Sequence, residues 1–253
     1  FVVINSDSSQ IEARVLAWLS GQEDLVQAFA NGDDVYKIMA SAIYGRPVED
    51  IDSEQRFVGK TTILGCGYGM GAKKFSVQLK AFGKDLDVEE CKKIIQTYRK
   101  VYPFIPNFWR KSQAGLEAII KGRYIEVTKQ KQALGVIPNI GFDLPNGLQL
   151  KYPDLKKEQD SSGEYYFSYK SKKDRINIYG GKVVENICQA VARCVIGEQM
   201  LRVAKKYKVV MTVHDAVTCI APEQEAEEAA AYVTKCMKWK PDWCQDLPLD
   251  CET

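Results

Sequence analysis

Histidine is almost absent from this 253-residue chain: His214 is the only one. Eight cysteines include no C-x-x-C pair, so the ligand spacing of a zinc site is missing. They are scattered at 66, 91, 188, 194, 219, 236, 244 and 251 rather than framed in a short secreted chain, which reads as reduced, buried thiols and a cytoplasmic compartment. No apolar run approaches the ~18 residues of a membrane span. Phe1–Ser6 shows neither the basic region nor the cleavage site of a signal peptide. Charge of one sign is lacking as well, since 35 Lys+Arg against 33 Asp+Glu leave +2. A nucleic-acid binder of this balance would need its basic residues sorted onto one face. What remains, 45% hydrophobic and 27% charged residues, is an ordinary soluble globular composition with core enough for one large domain or two joined ones.

Phe1–Ser6 is apolar and β-branched, as in a buried strand. Ser9-Gln10-Ile11-Glu12 then has the pattern of a capping box before Ile11, Val15, Leu16 and Leu19. Helical periodicity continues through residues 23–30, 34–44, 53–64, 73–82, 88–101 and 107–121. From Gly122 the texture changes to short strands at 124–128, 148–152, 165–169 and 175–179, with Asn146-Gly147 as a hairpin turn and 156–163 as an exposed charged loop. A long helix at 182–206, strands 209–213 and 216–220 joined at His214-Asp215, and a helix at 222–238 complete the chain. The order predicts an α+β fold with a helical insertion.

Gly59-Lys60-Thr61-Thr62 has the look of the end of a P-loop, but the motif's first glycine would fall at Glu54, in an acidic helical segment with no strand before it. Gly67, Gly69 and Ala72 make a loose G-x-G-x-x-A with the same defect. Arg56, Lys60, Leu64 and Tyr68 are more informative. Spaced by four, each is offset by about 40° from the last, so they share one slowly turning helix face. Two cations, an apolar residue and a tyrosine in line suit a triphosphate at one end and a sugar and base at the other; a solvated amphipathic helix has the same spacing. Asp7 and Asp215 stand at strand ends, where carboxylates can converge on magnesium, or can serve as turn and helix-start residues.

Taken together, these residues resemble family A DNA polymerases. Asp7-Ser8-Ser9-Gln10-Ile11-Glu12-Ala13-Arg14 is similar to the family's D-Y-S-Q-I-E-L-R, Arg56-x-x-x-Lys60-x-x-x-Leu64-x-x-x-Tyr68-Gly69 to its finger helix, and Val213-His214-Asp215 to its V-H-D-E hairpin. Asn186–Ala192 is similar to its helix bearing a DNA-contacting glutamine. The Asp33–Tyr36 spacing and Leu144-Pro145-Asn146-Gly147 look most like phage-encoded members.

The resemblance implies a right-hand polymerase, with palm at 1–25 and 136–253, a β-hairpin insertion at about 140–179, and helical fingers at 26–135. It implies a piece of a larger enzyme, without thumb or exonuclease domain. It implies template-directed DNA synthesis on primer-template DNA from dNTPs with two Mg²⁺ ions, in the cytoplasm of a host cell if phage-encoded, with no membrane partner. Asp7, Asp215 and the Ser8 carbonyl would hold the metals. Arg56 and Lys60 would grip the triphosphate, Lys60 also protonating the leaving pyrophosphate. Tyr36, Leu64 and Tyr68 would line the nucleotide site with Gln10, and Glu12 would exclude a 2′-hydroxyl. Asn186, Gln189 and His214 would touch DNA. The chain departs from the pattern at Ala216 (family Glu), Leu64 (an aromatic), Tyr36 (His in bacterial members) and Ser8 (Tyr). The readings set against this one are a non-catalytic DNA-binding fragment, a single-subunit RNA polymerase and an unrelated α+β domain.

Overall fold

The computed structural model describes residues 1–128 and 134–253. Residues 129–133, inside the span expected to be fingers, lie outside the described residues. In chain order the helices are α1 (Ile11–Ser20), α2 (Glu23–Asn31), α3 (Val35–Tyr44), α4 (Ser53–Cys66), α5 (Ala72–Ala81), α6 (Val88–Val101), α7 (Phe104–Ile120), α8 (Gly180–Val203) and α9 (Ala226–Met237). The strands are β1 (Val2–Ser8), β2 (Val136–Ile137), β3 (Gly141–Asp143), β4 (Gln149–Lys151), β5 (Lys156–Gln159), β6 (Tyr165–Lys170), β7 (Arg175–Ile178), β8 (Lys208–Val213), β9 (Ala216–Ala221) and β10 (Cys251–Glu252). Two compact units result: Phe1–Val15 with Cys188–Thr253, and Leu16–Ile187. No helix among the described residues is long and apolar enough to cross a membrane.

The first unit is built on an antiparallel sheet in the order β10-β1-β9-β8. Along β1, Ser6 and Ser8 are buried while Val3, Asn5 and Asp7 are exposed, the period-2 signature of a sheet with one covered face. α9 packs against β1. Its buried Ala229, Val233, Cys236 and Met237 recur at helical spacing. The Gln199 side-chain amide donates to the carbonyls of Met237 at 2.6 Å and Trp239 at 3.0 Å, accepting the role that a C-terminal cap would have at the end of α9. β8 carries a bulge between Val209 and Met211. The extra residue lets two consecutive apolar side chains precede the hairpin without flipping its tip to the wrong face.

In the second unit α3 and α4 lie so close that a Cβ on Gly59 would overlap the Tyr36 carbonyl oxygen. The glycine of the P-loop-like tetrapeptide is therefore a helix-packing residue. α4 and α6 start with complete capping boxes, Asp52 with Gln55 and Asp87 with Glu90. α7 tolerates Pro106 because it sits in the first turn. Two small antiparallel sheets, β2-β3-β4 and β5-β6-β7, follow. The Asn146-Gly147 turn forms as expected, with Gly147 at φ +80° and Leu144 N–H donating to the Leu148 carbonyl at 2.8 Å.

Three expectations are corrected here. Residues 156–159 are a strand, not loop: they pair with β6 although all four side chains are polar. Lys157 explains it, with its ammonium lying 5.0 Å from the Tyr165 ring centroid and 2.7 Å from Glu117. The segment 124–128, expected as a strand, makes among the described residues the isolated bridge Glu126–Gly135 in place of a ladder. The helix at the chain's start also begins later than the Ser9–Glu12 pattern implies. Gln10, at φ +47°, immediately precedes Ile11, so Glu12 is the second helical residue rather than the third.

Gly59→Ala should cost about 1–3 kcal/mol, because backbone rather than a flexible side chain must give way. Gly197→Ala, inside α8 with open space around its Cβ, should instead stabilise by up to about 1 kcal/mol. Thermal melts of the two variants measure both; equal shifts in the same direction would contradict the packing argument.

Candidate active site

The register of β1 on β9 sets Asp7 opposite Ala216, and that of β8 on β9 sets Val213 opposite the same Ala216. Asp215 lies between Val213 and Ala216, beside His214 at the hairpin tip, so two carboxylates from positions far apart in sequence become neighbours at one end of the sheet. His214 turns the corner at φ +52°, a left-handed conformation that histidine adopts more readily than most residues. Burial and then the adjacent Asp7, through its charge and a side-chain hydrogen bond, push the Asp215 carboxyl above the ordinary aspartate value, although its backbone and His214 act in the opposite sense. No lysine or arginine among the described residues forms an ion pair with either aspartate. Two unneutralised hard-oxygen donors side by side fit Mg²⁺, which takes one or two carboxylates and completes its shell with water and phosphate. No group of three or more His, Cys, Asp or Glu able to hold a metal occurs among the described residues. Ser8 is buried, and its Oγ has no hydrogen-bond partner among them.

Beside this pair lies a cavity of about 520 Å³ lined by Ile11, Glu12, Gln189, Ala192, Arg193, Ile196, His214 and Asp215. Arg14 fixes the turn that leads from Asp7 into it. The guanidinium, 5% exposed, donates to the carbonyls of Ser9 at 2.8 Å and Pro248 at 3.3 Å and to Gln10 Oε1 at 3.3 Å. Ser9 N–H adds a bond to the Asp250 carbonyl at 2.9 Å.

In the second unit, α4 buries Val58, Thr62, Ile63 and Cys66 and exposes Lys60 and Leu64. Tyr36, buried on α3, lies under both cations of α4: the Arg56 guanidinium is 5.2 Å and the Lys60 ammonium 5.9 Å from its ring centroid. Arg56 Nε also donates to Asp34 at 2.6 Å. Asp34 is the N-cap of α3, accepting from the amides of Tyr36 and Lys37. Burial raises its pKa, but the Arg56 hydrogen bond and those two amides outweigh burial and hold the carboxyl below its usual range. α4 ends at Cys66, and Tyr68 lies in the following turn closed by Gly69 at φ +83°. The expected single helix face therefore carries Arg56, Lys60 and Leu64 but not Tyr68.

Residues 1–140 match the family model described as DNA polymerase family A. This chain belongs to that family. It is 33% identical to the DNA polymerase of Bacillus phage SP02 over 256 residues, covering 96% of this chain and 39% of that protein. It is 37% identical to the thermostable DNA polymerase I of Thermus aquaticus over 103 residues, 41% of this chain and 12% of that enzyme. Among solved structures, the POL domain of Pol1 from M. smegmatis, in complex with DNA primer-template and dNTP, superposes with a TM-score of 0.70 at 22% identity, over 99% of this chain and 38% of that one. The fold is thus the α+β fold of a polymerase domain, and the chain spans less than two fifths of the length of the phage relative and of the solved chain.

For a family A member the sequence motifs divide cleanly. Asp7 and Asp215 are brought together, and Glu12, Gln189 and His214 join Asp215 around one cavity. Tyr36, Arg56 and Lys60 cluster separately on α3 and α4. Asn186 is half-buried and donates to the Tyr152 hydroxyl at 3.1 Å, a tie within the protein. Arg193 was not singled out by sequence; its position four residues after Gln189 was the available signal. Because the folded pKa of Asp34 is depressed, the stability it contributes is present above the ordinary carboxylate pKa and lost as pH falls through the folded value. Asp34→Ala should therefore cost about 1 kcal/mol at pH 7, with the gap in Tm from the parent protein shrinking below about pH 4. A gap that stays constant down to pH 2 would contradict this account.

Proposed function

We propose that this chain carries the nucleotidyl-transfer site of a template-directed DNA polymerase, joining a dNTP to a primer 3′-hydroxyl. The carrying observation is the strand register that makes Asp7 and Asp215 neighbours beside the cavity of Glu12, Gln189 and His214. In this reading residues 1–25 and 136–253 are palm and 26–135 fingers. The primer 3′-oxygen loses its proton to solvent and forms a bond to the α-phosphorus, while the bond from the α-phosphorus to the bridging oxygen breaks and pyrophosphate leaves. Asp7 and Asp215, with the Ser8 carbonyl, would hold two Mg²⁺ ions, which when bound supply Lewis-acid stabilisation of the phosphoryl oxygens and lower the pKa of the attacking hydroxyl.

Lys60 and Arg56 bind the β- and γ-phosphates, and Lys60 gives a proton to pyrophosphate as negative charge develops on it. Tyr36 supports both roles by holding the two cations over one ring. Leu64, Tyr68 and Gln10 line the sugar and base, Glu12 meets a 2′-hydroxyl, and Gln189 and His214 position the primer terminus. Asn186 acts through Tyr152, which it hydrogen-bonds. One observation favours the reading of a DNA-binding fragment without catalysis: Ala216, opposite Asp7, supplies no third carboxylate.

Primer extension by the 253-residue chain with Mg²⁺ separates the two readings. Extension with dNTPs that Asp7→Asn and Asp215→Asn each abolish, with the circular dichroism spectrum unchanged, is the expected result; tight primer-template binding with no extension under any divalent metal would favour the non-catalytic reading. Glu12→Ala should raise ribonucleotide use relative to deoxynucleotide. A variant that melts earlier with an unaltered ratio would make Glu12 a residue of the helix start alone.

A further inference from the structure

The cavity beside Asp215 contains one cation that the polymerase reading leaves unused. Arg193 is exposed on α8, one helical turn beyond Gln189 and on the same face. Glu12 and Asp215 line the same cavity, yet among the described residues Arg193 has neither an ion pair nor a hydrogen bond. A guanidinium is always charged and carries five donors in a fixed fork. Exposed and without a protein partner among the described residues, Arg193 ties no element of the fold together and is open to an external anion. The residue pair also sorts by chemistry. Gln189 offers a neutral amide able to meet a base edge, and Arg193 offers a charge able to meet a backbone phosphate.

We propose that Arg193 binds a phosphodiester of the primer strand close to its 3′ end, offsetting the repulsion between that strand and the aspartate pair. The assignment rests on the polymerase reading and adds a DNA-backbone contact to it. The triphosphate is the less fitting anion, because the cations proposed for it, Arg56 and Lys60, already share the ring of Tyr36 on the α3–α4 pair.

Equilibrium binding of the full chain to a primer-template, followed by anisotropy across a salt series, tests this. One neutralised phosphate contact is worth about 0.9 in the slope of log K against log salt. Arg193→Ala should lower the slope by about one and weaken binding, Arg193→Lys should restore the slope, and the KM for dNTP should stay within about twofold if the chain extends primers. Methylphosphonate linkages in place of the last three primer phosphodiesters should weaken the parent chain and leave Arg193→Ala nearly insensitive, the non-additivity expected of two groups in contact. An unchanged slope, a neutral-linkage effect equal in both proteins, or a raised KM for dNTP with DNA binding intact would each overturn the assignment while leaving the polymerase reading standing. Failure of the parent chain itself to bind primer-template would overturn both.

Discussion

Six consecutive residue pairs, Val2 with Ala221 through Asp7 with Ala216, fix where Asp7 lies relative to the β8–β9 hairpin. Side chains alternate across a strand, so slipping β1 by one residue would send Asp7 to the covered face and bring Ser6 or Ser8 to the open one. The burial pattern resists that slip: Ser6 and Ser8 lie on the side closed by α9, and Asp7 lies opposite. Arg14 and β10 secure the end of the same strand. The guanidinium ties the Ser9 carbonyl to the Pro248 carbonyl, and Ser8 pairs with Cys251. Burying a charge costs desolvation free energy, but here it locks the turn from which the first motif passes into α1.

The electrostatics of the two units follow different rules. On the sheet, like charges are set side by side with no ion pair to a lysine or arginine among the described residues, and the Asp215 carboxyl is driven up by burial and by Asp7. On α3 and α4, opposite charges are matched inside the protein: Asp34 caps one helix and holds an arginine of the other, and its carboxyl is driven down. The first arrangement is left uncompensated by any lysine or arginine ion pair among the described residues. The second is partly satisfied already, which keeps Arg56 in one orientation while Lys60 remains exposed.

Long helices with strong periodicity were legible from the chain alone: α6 runs over Val88–Val101, as its pattern predicts, and α2, α3 and α5 end within about a residue of expectation. The aspartate pair was legible because both residues follow apolar strands and match family motifs. β5 was not, since its four polar residues have no alternation to read and are held by Lys157 and by the Ser168–Glu158 hydrogen bond. Tyr68 was expected on the α4 face because a four-residue spacing carries from Leu64 to Tyr68 whether or not the helix does. The tie between Asp34 and Arg56 spans 22 residues, and Arg193 acquires meaning only when His214 and Asp215 face it, so neither had a local signature.

The absent side chain at Gly59 has a mechanical corollary. With the α4 backbone seated against the Tyr36 carbonyl and Arg56 latched to the cap of α3, the two helices have no slack along their contact. Sliding one past the other would drive backbone into backbone, a far stiffer obstacle than a rotatable side chain. Tyr36, Arg56 and Lys60 therefore behave as points on one rigid body. Any swing of α4 carries all three with their mutual spacing preserved, and the hinge for such a swing has to lie in the segments that flank the helix pair rather than between its members.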